Sequence, residues 1–157
     1  MRASEGDRSG GALIEALLLG VATGMRSTAG FGVLVLRGGR VSARPLPGPF
    51  GTRLAKPAAA LAIASELVLD KLPVAGSRLE PPGLIGRVTF AAGCGALVAL
   101  DRKARAVPAI LVAVGAALVS AKVFHDLRAK ADQRVSDVAV ALVEDALALG
   151  IAARATA

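Results

Sequence analysis

The chain alternates between apolar runs and short polar connections, and this pattern predicts helices. Each apolar run is longer than an ordinary strand, and Pro57 and Pro108 stand where proline suits the first turn of a helix. The runs cover residues 12–36, about 57–72, 84–100, 106–121 and 137–153. We therefore expect an all-α chain of about five apolar helices, some short or tilted, in one bundle.

The connections between these runs carry the helix breakers and much of the charge. Residues 37–56 contain Gly-Gly, Pro-Leu-Pro and Gly-Pro with five Lys or Arg and no acid, which predicts a basic loop. Residues 1–10 are polar and mixed in charge, which predicts a disordered lead-in to one helical domain over 11–157. A signal peptide is the alternative for the first run, but Glu15 interrupts its apolar stretch.

Composition favours a membrane protein in contact with a lipid bilayer. Hydrophobic residues make up 54% of the chain and mean hydropathy is +0.61, whereas soluble domains have about 45–50% apolar residues with glycine included. The longest uncharged run, Ala106–Ala121, has 16 residues, fewer than the roughly 18 that identify a membrane span. A soluble bundle stays an alternative, although helices apolar on nearly every side suit a membrane better.

The basic charge changes this picture little. A net charge of +7 is compatible with nucleic-acid binding, but Trp and Tyr are absent and no aromatic stacking platform accompanies the basic residues. We expect juxtamembrane anchoring instead, and no nucleic-acid partner. Five crossings would leave eight Lys or Arg on one side and nine on the other, so the positive-inside rule gives no orientation.

Charged residues inside the apolar runs are the candidate functional residues. Glu66 and Asp70 stand four apart on one helical face, and Pro73 ends that helix. Buried carboxylates require a cation, a metal or water, and Arg26 is the first candidate partner. We expect a buried polar network of Arg26, Glu66, Asp70, Lys71, Glu144 and Asp145, with Arg87, Lys122 and His125 as secondary candidates.

Two interpretations of this network stay open. One is a structural ion pair of Glu66 or Asp70, with Arg26 as a candidate partner, that only holds helices in register. The other is a site for an ion, a proton or a polar solute, the default for ionisable groups within a membrane. Glu144 and Asp145 lie about 100° apart on a helix, so we expect one of them to face the bundle and the other an interface.

The secondary candidates and the small residues have simpler explanations. Arg87 and Lys122 lie near run ends, where snorkelling to the interface accounts for them. His125 beside Asp126 is either a solvated pair or a proton relay. Small residues four apart predict close helix packing, and they are Gly20, Gly24, Ala91 and Gly95.

A weak internal repeat is also visible, because Arg26 precedes Glu66 much as Lys122 precedes Glu144. No spacing matches a hydrolytic or phosphate-binding motif. We therefore expect no catalytic residue, no metal and no cofactor. A membrane enzyme acting on a lipid-linked phosphate is the least favoured function.

Three strings resemble one uncharacterised bacterial family, the small integral-membrane proteins known as domain of unknown function four-one-two-six. They are Gly20-x-x-x-Gly24-Met-Arg26-Ser27, Glu66-Leu-Val-Leu-Asp70-Lys71-Leu-Pro73 and Glu144-Asp145-Ala-Leu-Ala-Leu-Gly150. The resemblance spans about residues 12–150 and implies a multi-pass protein of the bacterial cytoplasmic (inner) membrane, without an assigned activity. We expect a transporter- or channel-like function for a small ion or polar solute, or a structural membrane component. A homo-oligomer stays open.

Overall fold

The computed structural model describes residues 5–37, 52–69, 81–131 and 137–157, and every regular element in these ranges is a helix. The all-α prediction is therefore confirmed for the described chain, but the helices number six rather than five. In chain order they are α1 (Glu5–Met25), α2 (Ala29–Arg37), α3 (Ala55–Leu69), α4 (Pro81–Arg102), α5 (Ala106–Ala131) and α6 (Asp137–Ala155).

The additional helix arises because the first apolar run is broken. A side chain at Gly30 would overlap the carbonyl oxygen of Leu19 and the hydroxyl of Thr23, although a continuous helix would hold residues 19 and 30 roughly 16 Å apart. Hence α2 folds back along α1. We call residues 26–28, which join the two helices, the α1–α2 reversal.

Neighbouring contacts fix the direction of α3 and α4. Glu66, near the end of α3, contacts the start of α2, and Ile63 lies against Gly32, so α3 is antiparallel to α2. At the other side of α1, Arg102 near the end of α4 contacts Glu15 near the start of α1. It follows that α4 is antiparallel to α1.

The last two helices continue the alternation. Gly20 and Gly24 of α1 pack on Ala113 and Ala117 of α5 in the same order, so these helices are parallel, whereas α6 runs back the other way. All six helices therefore alternate in direction. The start of α1, the α4–α5 connection and the end of α6 share what we call the termini end of the bundle, and the opposite end is the far end.

The first residues correct the expectation of a disordered lead-in. Helix α1 begins at Glu5, so residues 5–10 are helical, whereas residues 1–4 lie outside the described residues. Gly6 and Ser9 line a cavity of about 390 Å³ together with Ala104 and Pro108. The polar start of α1 thus lies beside the α4–α5 connection.

The interior of the bundle is built from small residues. A side chain at Gly20 or Gly24 would overlap the backbone of α5, and one at Gly95 would lie 2.6 Å from the carbonyl oxygen of Ala109. Ala91 is fully buried. Most other buried apolar positions are also alanine, including Ala12, Ala16, Ala22, Ala99, Ala109, Ala113, Ala117, Ala148 and Ala152.

Large apolar side chains lie outside. Ile85, Val107 and Leu111 are each about two thirds exposed, at 66%, 68% and 66%. Others that face outward are Ile14, Leu17, Leu54, Leu61, Leu100, Val119, Leu142 and Val143. Two segments, Gly83–Arg102 and Ala106–Leu127, are long and apolar enough to cross a membrane, so a bundle with about five crossings is not confirmed.

Candidate functional site

The α1–α2 reversal is partly buried in the bundle. Met25 before it is fully buried and Arg26 is 3% exposed, whereas Ser27 and Thr28 are half-buried. Helix α5 continues from Ser120, beside the reversal, to Ala131, which is roughly 16 Å further toward the far end. The N–H and C=O groups at these two helix ends need hydrogen-bond partners, and those on the buried side must find them within the protein.

Glu66 supplies the partner for the start of α2. Its carboxylate accepts hydrogen bonds from the backbone N–H groups of Ser27 and Thr28, both at 2.7 Å, and from the Thr28 hydroxyl at 2.5 Å. A carboxylate at a helix N-terminus satisfies free donors and interacts favourably with the helix dipole. Glu66 therefore acts as a capping group supplied by a neighbouring helix.

Arg87 supplies the partner for the end of α1. Its Nε donates to the carbonyl oxygen of Gly24 at 3.1 Å, and its Nη1 donates to the carbonyl oxygen of Gly83 at 3.2 Å. The residue is 4% exposed. The snorkelling explanation is thus wrong for Arg87, because its guanidinium is buried and donates to the end of α1, where a cation interacts favourably with the last carbonyl groups.

Arg26, within the reversal, forms an ion pair with Asp145 of α6 through Nη2 and Oδ1. Of its two expected partners, Glu66 is wrong, since its carboxylate binds the backbone of the next two residues, and Asp70 lies outside the described residues. Glu144 and Asp145 are both buried, at 4% and 7% exposure, which corrects the expectation that one faces outward. Both can be buried because α6 packs against α1, α2 and α5.

The structure therefore brings four of the candidate residues to the reversal and separates others. The four are Arg26, Glu66, Arg87 and Asp145. Asp70 and Lys71 lie outside the described residues. Lys122 pairs with Asp126 at 2.7 Å on exposed surface at the far end of α5, with half-buried His125 beside them. Neither pair of the suspected repeat forms, because Arg26 contacts Asp145 and Lys122 contacts Asp126.

A second buried contact was missed at the sequence level. Arg102 Nε donates to Glu15 Oε2 at 2.6 Å, and the carboxylate is 4% exposed. Glu15 was visible as the interruption of the first apolar run, but Arg102 belonged to a basic connection with several cations. Only the antiparallel packing of α1 on α4 shows which cation meets this carboxylate.

An apolar cleft of about 390 Å³ opens beside the reversal, between α2, α3 and α4. It begins at Thr28, and its walls carry Phe31, Phe90 and an alanine face of α3. Two threonines, Thr28 and Thr52, also line the cleft.

The described residues contain no group of three His, Cys, Asp or Glu side chains able to hold a metal ion. The chemistry that the buried charged residues perform is to supply hydrogen-bond partners to the two helix ends at the reversal.

Comparison with known proteins adds no assignment. No family model matches the chain, and no curated protein or solved structure matches it. The resemblance to the bacterial membrane family therefore stays a prediction.

Proposed function

We propose that this chain is a multi-pass protein of the bacterial inner membrane. The observation that carries the proposal is the uneven distribution of side chains: most buried apolar positions are alanine or glycine, with Leu19, Leu34 and Val98 among the few large ones, whereas many leucine, isoleucine and valine side chains lie outside. Lipid tails solvate large apolar side chains, and close approach of small residues drives helix association there. In water the same outer surface would be a large aggregation-prone patch.

Within this membrane protein, the charged side chains serve to hold the α1–α2 reversal. Backbone groups that are not paired within a helix cost several kcal/mol each in hydrocarbon. Arg87 satisfies the end of α1 and Glu66 satisfies the start of α2. The Arg26–Asp145 pair then ties the reversal to α6. This structural role is the function of the network that the geometry supports best.

The alternating helices also favour an orientation. The termini end carries eight cationic positions among the described residues, and the far end of α5 carries three. They are Arg8, Arg37, Arg53, Lys56, Arg102, Lys103, Arg105 and Arg154, against Lys122, Arg128 and Lys130. The α1–α2 reversal brings the start of α1 to the same end of the bundle as Arg37, Arg53 and Lys56. By the positive-inside rule, both termini then face the cytoplasm.

Site-directed labelling tests this topology. In a Cys94→Ala background, a single cysteine at Lys130 should react with an impermeant maleimide in cells whose outer membrane has been made permeable. Cysteines at Lys103 and Arg105 should react only after the inner membrane is opened. Recovery of the chain in the soluble fraction, or the opposite labelling pattern, would contradict the proposal.

A second candidate function is passage of a small ion or polar solute at the reversal. The observation that favours it is that two helix ends meet at depth inside the bundle, as in the discontinuous helices of transporters. The adjoining cleft is apolar, which favours the structural role.

Water access separates the two functions. Cysteines at Ser27 and Ala62, again in the Cys94→Ala background, should react with a small water-soluble thiol reagent if a solute path reaches the reversal. A cysteine at the outward-facing Val119 gives the rate for a position in lipid, and Arg105→Cys gives the rate in water. Rates near that of Val119→Cys support the structural role, and rates near that of Arg105→Cys support transport.

A further inference from the structure

The apolar cleft between α2, α3 and α4 is one half of an amphipathic site. Its volume of about 390 Å³ falls in the range of roughly 300–1,000 Å³ that small-molecule sites occupy. The α3 wall consists of Ala55, Ala58, Ala59 and Ala62. Ala58 is exposed, so this wall is open to the surroundings and continuous with the outward apolar surface.

The other half consists of three exposed cations on the chain ends that meet at one end of the cleft. Helices α2 and α3 are antiparallel, so the end of α2 and the start of α3 meet there. Thr52 and Leu54 line the cleft at this end, and Arg53 between them is exposed, as are Lys56 and Arg37. The first turn of α3 carries no acid, and its dipole adds to the positive potential.

The opposite end of the cleft differs in chemistry. Thr28 lies there, and the nearby Glu66 carboxylate is engaged with the start of α2. The cleft thus joins an exposed cationic mouth to an apolar groove whose inner end carries an occupied carboxylate. An occupant that matches both ends has an anionic head and an apolar tail.

We propose that this cleft binds an anionic phospholipid, with its headgroup at Arg37, Arg53 and Lys56 and an acyl chain along the alanine face of α3. The inference rests on the proposed membrane location, in which these cations lie at the cytoplasmic leaflet, where anionic lipids concentrate. A second copy of the chain seated here about a two-fold axis is a poor occupant, because it would bring a like charge to the same mouth.

Lipid retention on the purified, delipidated protein tests the proposal. Native mass spectrometry after addition of phosphatidylglycerol or phosphatidylcholine with identical acyl chains should show one preferentially retained phosphatidylglycerol. Removing two cations with Arg53→Gln/Lys56→Gln should weaken that binding about tenfold. The matched control, Lys103→Gln/Arg105→Gln, removes two exposed cations at the same end of the bundle but away from the cleft.

A second pair of variants tests the apolar half. Ala58→Phe places a ring in the cleft and should abolish retention of both lipids at this site, whereas Ala60→Phe, exposed on the same helix outside the lining, should not. Equal retention of both lipids, or unchanged retention in Ala58→Phe, overturns the lipid site and leaves the membrane proposal standing. Loss of thermal stability in Ala58→Phe alone, without added lipid, means that protein fills the cleft and also overturns it. Recovery of the chain in the soluble fraction overturns the membrane proposal itself.

Discussion

Within the described residues the chain reverses direction at the α4–α5 connection and at the α1–α2 reversal. The hydrogen-bonding groups of the helix ends are satisfied differently in the two places. Between α4 and α5 the turn is at the termini end, and the backbone closes it locally. Lys103 adopts a left-handed conformation with φ of 54°, its N–H donates to Leu100, and the N–H of Ala104 donates to Ala99. This is a Schellman motif, which satisfies the last carbonyl groups of a helix.

Between α1 and α2 the reversal is buried, and distant side chains close it. Glu66, Arg87 and Asp145 come from α3, α4 and α6. A surface turn can rely on water for whatever the backbone leaves unpaired, whereas a turn inside the bundle cannot. The comparison shows why the charged residues of this apolar chain concentrate where a helix ends at depth.

The largest expected effect comes from removing one member of the buried ion pair. Asp145→Leu leaves the Arg26 guanidinium without this counter-ion, and we expect a loss of about 3–5 kcal/mol in unfolding free energy. Unfolding in detergent micelles measures it. Asp126→Leu, which removes an exposed i,i+4 partner of Lys122, is the control and should leave stability unchanged. Equal losses in the two variants would contradict a buried role for Asp145.

Removing the cap of α1 should have a smaller effect. Arg87→Leu leaves the Gly24 carbonyl without this donor, and a hydrogen bond from a charged group contributes about 1.5–3 kcal/mol. Arg87→Lys should recover part of the loss because a cation remains near the helix end. The same unfolding assay applies, with exposed Arg105→Leu as the control. An unchanged unfolding free energy in Arg87→Leu would contradict the role of Arg87 as the cap of α1.

Glycine-to-alanine substitutions should change the unfolding free energy in opposite directions at the close α1–α5 contact and on the open surface. Gly24→Ala would overlap the backbone of Ala117, and overpacking of this kind costs about 1–3 kcal/mol. Gly115→Ala meets no atom within 4 Å and should stabilise α5 by about 0.5–1 kcal/mol. Stabilisation by both substitutions would show that α1 and α5 do not approach closely at Gly24.

An effect about as small as that of Gly115→Ala is expected at the surface turn. Lys103→Gly removes the left-handed strain of a residue with a Cβ and should stabilise the chain by about 1 kcal/mol. Lys103→Ala keeps the Cβ and should be nearly neutral. Destabilisation by glycine would show that the Lys103 side chain, rather than the backbone, closes this turn.

These two turns also show how far the sequence predicts the structure. The α4–α5 hairpin is predictable from the sequence, because a short basic link separates two long apolar runs and Pro108 marks the start of the new helix. The α1–α2 reversal was not predicted, although Ser27 and Thr28 are residues that commonly begin helices. Inside an apolar run the same two residues are equally compatible with one continuous span.

The partners at the reversal were only partly predictable. Apolar surroundings made Arg26, Glu66 and Asp145 candidates, because buried charge requires compensation. Their pairing depends on helix directions. Because the first run folds back, every later helix runs opposite to the direction that a single continuous first helix would give it. Arg87 was misjudged for the same reason, since no helix end was expected at the depth where it lies.

The most direct test of a reversal held by specific partners is a comparison of two double-mutant cycles on unfolding free energy. One cycle combines Arg26→Met with Asp145→Leu, and the other combines Arg26→Met with Glu66→Leu. We predict a coupling of about 1.5–3 kcal/mol between Arg26 and Asp145, and below about 0.5 kcal/mol between Arg26 and Glu66. Strong coupling of Arg26 to Glu66 with none to Asp145 would contradict the account.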